Sequence, residues 1–165
     1  MRSPHLLFAG SNARRLKQNL VGILNAASID AIEQEISRNA AQLYKLGKNH
    51  YLFAKRQSNR AWRQKISRLY YGAYNVSRSI RFCVNGEFST DSTDHKKIDA
   101  IPPDFPNRNS YANRLGVLRD DRNLCDYDHT AVRRDLVLGV DDSLQLVTEF
   151  LRDARGFLIV RGVKL

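Results

Sequence analysis

Residues 60–84, RAWRQKISRLYYGAYNVSRSIRFCV, decide the fold. Ile66, Leu69, Ala73, Val76, Ile80 and Cys83 recur at alternating three- and four-residue spacing, which lines one face of an α-helix and cannot line a strand. The spacing predicts one long amphipathic helix over residues 60–84. Asn85-Gly86 supplies its stop, because both residues tolerate the left-handed conformation that closes a helix. Val137, Val140, Leu144, Val147 and Leu151 repeat the pattern and predict a last helix over residues 131–154, with Gly156 as its C-cap. Upstream, Ser28-Ile29-Asp30 opens a helix with Glu33 and Glu35 near its positive end. It runs to about Arg56, with Gly47 as the place where it would break. A shorter helix over residues 13–25 precedes it, and a fourth main helix covers residues 108–126. Between Glu87 and Asn107 the periodicity gives way to Ser, Thr, Asp and three prolines (Pro102, Pro103, Pro106), which reads as a long loop.

The fold class is therefore all-α: an antiparallel, up-and-down bundle of four to five helices, with one long loop before the helix at residues 108–126. Residues 1–27 form an N-terminal segment with a short helix, residues 28–154 the bundle, and residues 155–165 a tail. In that tail Phe157-Leu158-Ile159-Val160 is apolar and β-branched, which suggests a short strand or a dimer contact.

A chain of 165 residues can bury a core without disulfide or metal staples. No apolar run approaches the roughly 20 residues that cross a bilayer, and the apolar stretch after Met1 is too short for a signal-peptide core. Cys83 and Cys125 make neither a disulfide framework nor a metal knuckle, so a reducing, cytoplasmic address is expected. The net charge of +10 is unevenly spread. From Ile36 to Gly86 there is no Asp or Glu, against eleven Lys and Arg; residues 87–165 hold twelve basic and fourteen acidic residues. An uncompensated cationic run repels itself, and a polyanion that exchanges counterions for Lys and Arg contacts would relieve it. RNA is the expected partner, with Lys45, Lys48, Lys55, Arg56, Arg60 and Arg63 as its contacts. An acidic protein partner, or a solvated basic face that binds nothing, is the plain alternative.

The helix at residues 108–126 carries an anomaly. Its apolar seam runs Leu115, Leu118, then Arg122, Cys125 and His129 at the same spacing. An ionised arginine in a core-facing position is costly unless it is paired or meets a ligand. Pairing with Asp126 at i,i+4, with His129 merely opening the next loop, would explain it structurally. Cleavage of RNA would explain it chemically: a guanidinium matches phosphate oxygens, and an imidazole moves protons near neutral pH. Seven residues of continuous helix separate the two by about 10 Å. Either the chain folds back near Asp126, or a two-fold dimer brings two Arg122 and two His129 together. A metal site from Cys125, Asp126, Asp128 and His129 lacks a second ligand cluster, so no metal or other cofactor is expected. His50 reads as an ordinary surface histidine; His5 and His95 fall in predicted loops and carry no assignment.

Arg122-Asn123-Leu124-Cys125-Asp126-Tyr127-Asp128-His129, an arginine and a histidine with six residues between them near a helix end, resembles the hallmark of the HEPN superfamily of small helical bundles. Leu118-Arg119-Asp120-Asp121-Arg122-Asn123 followed by Asp126-Tyr127 is similar to that family's helix end. Ser67-Arg68-Leu69-Tyr70-Tyr71-Gly72-Ala73-Tyr74-Asn75-Val76 is similar to its tyrosine-rich helix. Ala131 stands where one subgroup carries a tyrosine two residues after the histidine. The resemblance covers residues 28–154 and implies a homodimer, often a metal-independent endoribonuclease of toxin–antitoxin, phage-defence or RNA-processing systems. It implies Arg122 and His129 as the catalytic pair, Asn123 as their polar neighbour, and Asp126, Tyr127 and Arg119 in support. It implies equally an inactive dimeric module that grips RNA, a nucleotide or a partner protein, such as a cognate antitoxin.

Overall fold

The computed structural model describes residues 12–87, 89 and 91–165; His5 and the apolar stretch after Met1 lie outside them. Among the described residues five α-helices pack together: α1 (Ala13–Leu20), α2 (Ala26–Arg56), α3 (Trp62–Asn85), α4 (Arg108–Tyr127) and α5 (Gly139–Val160). The bundle is all-α, and α3 is its central rod, packing against α2, α4 and α5. Its stripe is the core: Ile66, Leu69, Ala73, Val76, Ile80 and Cys83 are all buried. A fully buried Leu or Ile side chain contributes about 1.5–3 kcal/mol through the hydrophobic effect.

Helix α2 runs unbroken through Gly47, and the glycine serves packing instead. A Cβ there would lie 2.6 Å from the Gly72 carbonyl oxygen and 2.7 Å from a Val76 methyl. Gly47 and Gly72 thus let the backbones of α2 and α3 touch. Asn25 caps α2 by accepting the Ser28 amide, and Gly86 ends α3 with φ 68°, where the sequence placed the stop. Helix α1 ends at Leu20, short of the expected residue 25. Ala13 is buried, and Arg14 donates to both Glu33 carboxylate oxygens and to the Cys83 carbonyl, so α1 is bound to α2 and α3.

The C-terminal expectation needs correcting. Residues 155–160 are the last turns of α5, not a strand, and Gly156 sits inside the helix. Phe150, Leu151, Ala154, Phe157 and Leu158 continue one buried 3–4 stripe, so amphipathic packing overrides the β-branched Ile159 and Val160. The helix closes at Gly162, φ 80°, where the Gly162 and Val163 amides donate to the Ile159 and Leu158 carbonyls. That is a Schellman closure, and its apolar pair is Leu158 and Val163, both buried. The start of α5 is also later than residue 131. The buried Asp121 carboxylate on α4 accepts the Val137 and Leu138 amides and so sets the entry to α5.

The long connection before α4 is not featureless. It holds a 3-10 turn over Ser92–Lys97 and buries Ile98, Ile101 and Phe105. Asp94, 2% exposed, meets both terminal nitrogens of Arg81, at 3.0 and 2.9 Å, and accepts the Tyr74 hydroxyl at 2.9 Å. Burial alone would raise the Asp94 pKa, but Arg81, Tyr74 and Arg78 outweigh it and hold the carboxyl below its ordinary value.

Candidate functional site

Arg122 lies on the last turns of α4 with its side chain 13% exposed. Its guanidinium carbon stands 5.4 Å from the ring centres of Tyr70 and Tyr71 on α3, and 5.2 Å from that of Tyr127. Cation–π attraction of this kind is strongest where water is excluded. Of its five N–H donors, Nη2 donates to the Tyr71 hydroxyl at 2.9 Å, and Nη1 donates to Asn123 Oδ1 and the Tyr127 hydroxyl. Nε lies 2.8 Å from Asp126 Oδ2, an ion-pair contact without a well-directed hydrogen bond. Burial opposes the charge on Arg122, but Tyr127, Tyr71 and Asp126 outweigh it and raise its pKa. The anomaly in the seam is thus resolved by aromatic rings and a carboxylate one turn on.

Two imidazoles border the same tyrosines. His95, from the 3-10 turn, stacks on Tyr74 at 4.3 Å, meets Tyr71 edge-on at 6.1 Å, and places Nδ1 2.8 Å from the Tyr70 hydroxyl. His50, from α2, lies 5.8 Å from the Tyr71 ring, with Nδ1 3.3 Å from Arg68 Nη1. Burial lowers the pKa of both; the charge of Arg122 lowers His95 further, and that of Arg68 lowers His50. Burial pushes Tyr70 well above the usual phenol value, so its hydroxyl stays protonated beside His95. The Arg81–Asp94 pair, one residue before His95, holds the turn in place. Helices α2, α3 and α4 and the 92–97 turn therefore converge on one cluster of a fixed cation, four tyrosines and two imidazoles.

His129 does not join the cluster in the single chain. Helix α4 ends at Tyr127, and Asp128 takes an extended conformation. Arg63 gathers the carbonyls of Cys125, Asp128 and Ala131 at 2.6–2.8 Å, turning the chain away from the helix axis. His129 stands exposed on that turn, with no hydrogen bond or ring contact among the described residues. Arg119 is held by its neighbour Asp120 at 3.1 Å, and Asp126 receives Ser67 as well as Arg122. The four residues weighed as metal ligands do not assemble. Among the described residues no group of three His, Cys, Asp or Glu could hold a metal, and burial pushes the Cys125 thiol up to about 12.

The six cations assigned to RNA also part company. Lys45, Lys48, Lys55, Arg56 and Arg60 are exposed, whereas Arg63 spends its guanidinium on the end of α4 and on the Trp62 ring at 4.7 Å. Sequence reasoning passed over His95 and took His50 for an ordinary surface histidine, whereas it is half-buried against Tyr71. For His95 no periodicity existed to place it; the one available signal was the Tyr70-Tyr71-x-x-Tyr74 spacing, which puts aromatic rings on the flank of α3 that meets α4 and the turn.

Compared with models of known protein families, with curated proteins and with solved structures, the chain matches none.

Proposed function

We propose that this chain acts on RNA as a HEPN-type homodimeric bundle, a metal-independent endoribonuclease working as a cytoplasmic toxin of a toxin–antitoxin or phage-defence system. The observation that carries the reading is Arg122, fixed on three tyrosines with its Nη1 donors at the solvent edge and two imidazoles of lowered pKa beside it. A phosphate arriving at that edge takes the place of Asn123 Oδ1 and the Tyr127 hydroxyl. The 2′-oxygen then forms a bond to phosphorus and the bond to the 5′-oxygen breaks. An imidazole takes the proton from the 2′-hydroxyl, and an imidazolium returns one to the departing 5′-oxygen. Arg122 neutralises the charge that gathers on the phosphoryl oxygens between those steps. His129, exposed beyond the helix end, reaches such a site from the partner protomer; His95 and His50 reach it within the chain.

The test is RNA incubated with the protein in EDTA. Fragments ending in a 2′,3′-cyclic phosphate are expected. Arg122→Ala should slow cutting about 10²–10³-fold, the usual effect of removing one charge-stabilising donor. His129→Ala, His95→Ala and His50→Ala, assayed separately, identify the imidazoles that move protons. Intact RNA, or full activity in Arg122→Ala, sinks the reading. The Arg122–Asp126 contact favours a second reading, a bundle that binds RNA or a partner without cutting it. There the pair fastens the end of α4, and Arg122→Ala lowers stability with no cleavage to lose.

A further inference from the structure

A cleft of about 1000 Å³ lies between α2, the end of α5 and the residues after it. It occupies the flank of α2 away from Arg122: on a helix of 100° per residue, Lys45 and Lys48 stand about 140–200° round from His50. Its floor is apolar, with Ile36, Tyr44 and Val163 buried. Tyr44 is fixed there by its hydroxyl, which donates to the Leu151 carbonyl. The Schellman closure of α5 seats Val163 on the floor and so carries Lys164 to the rim.

Charge is what makes the cleft unusual. Among the described residues, Glu33 is the only acidic side chain that lines it, and Arg14 and Lys17 hold both its oxygens. Arg38 pairs with Glu35, and Arg161 with Asp104. Lys45, Lys48, Arg155 and Lys164 meet no carboxylate among the described residues. Four unanswered cations ring an apolar trough of the size that encloses small organic groups. A flat anionic surface would reach the rim and leave the floor wet. A chain that alternates apolar bases with phosphates would fill both.

We propose that this cleft binds single-stranded RNA, with bases on the Ile36–Tyr44–Val163 floor and phosphates on Lys45, Lys48, Arg155 and Lys164. It is a second site, separate from the Arg122 cluster; that the strand is RNA rests on the function proposed above. Stacking on aromatic and apolar surface together with a cationic groove is the general mode of single-strand binding.

Anisotropy of a labelled RNA octamer with the full chain tests this across a salt series in EDTA. The octamer carries 2′-O-methyl groups, so that it cannot be cut. Lys45→Glu/Lys48→Glu should weaken binding at least tenfold and lower the slope of log K against log salt by about 1.4, or about 0.7 for each phosphate that is no longer neutralised. Arg133→Glu/Arg134→Glu, an equal change of charge on an exposed turn, should change affinity less than threefold. Equal losses in the two double variants, or none in the cleft variant, overturn the proposal. Binding of a free mononucleotide as tight as the octamer overturns RNA as the occupant. The two readings fail separately. Unmodified RNA that is bound through the cleft and never cut leaves the cleft standing and removes the nuclease; RNA that is cut while the cleft variant binds like the parent does the reverse.

Discussion

Two sets of cations with the same formal charge are built in opposite ways. Arg81, Arg63, Lys65 and Arg122 are internal fittings. Arg81 grips Asp94, Arg63 collects three carbonyls, the buried Lys65 donates to the Gln57 carbonyl and Asn59, and Arg122 lies on tyrosine rings beside Asp126. Lys45, Lys48, Arg155 and Lys164 have none of this and surround a trough. The contrast reinterprets the acid-free run from Ile36 to Gly86. Part of its self-repulsion is relieved inside the chain, because Asp94 is brought back from the second half to Arg81 and Arg78. Only the remainder is left for a partner.

The contrast can be broken most forcefully at Arg81. Arg81→Met leaves the buried Asp94 carboxylate with only the Tyr74 hydroxyl and the longer Arg78 contact, and should cost about 3–5 kcal/mol, read from urea denaturation. A cost under 1 kcal/mol would move Arg81 into the class of the cleft lysines. Acid comes next in size. The lowered pKa values of His95 and His50 mean that the unfolded chain binds protons more readily than the folded one. Stability should therefore fall as pH drops below about 6.5 and level off once the folded imidazoles are charged. Asp94 adds a second fall further down, because its contribution is present above the ordinary carboxylate value and lost through its lowered one. Melting temperatures from pH 8 to 3 show both limbs, and His95→Asn should shrink only the first. The smallest effect is on the other side of the comparison. Lys45→Gln/Lys48→Gln should leave stability within about 0.5 kcal/mol; a larger loss would mean that these lysines hold the fold as the internal set does.

The helices were legible in the sequence wherever burial repeats every three or four residues. The whole stripe from Ile66 to Cys83 is buried, and α4 ends within one residue of its expected limit. Where a local rule competed with packing, packing won: Gly47 does not break α2, and Ile159 and Val160 remain helical because Phe157 and Leu158 extend the core. At the site, Arg122 and its i,i+4 partner Asp126 could be read because helical spacing fixes their neighbourhood. His95 could not. Its place depends on a 3-10 turn held by Arg81 and Asp94, thirteen residues apart, and no periodic pattern encodes a contact between a helix and an aperiodic segment.

The contact of backbones at Gly47 and Gly72 acts as a locating pin. Sliding α2 along α3 by one helical turn would bring the side chain of Leu43 or Tyr51 to a spot with no room for a single methyl group. The helix has one seat and one angular setting. The trough on one side and the arginine on the other are thereby held at a constant separation, like two marks on a gauge. A strand laid in the first and severed at the second would be measured as it was held, and its fragments would share one length counted from the anchored end.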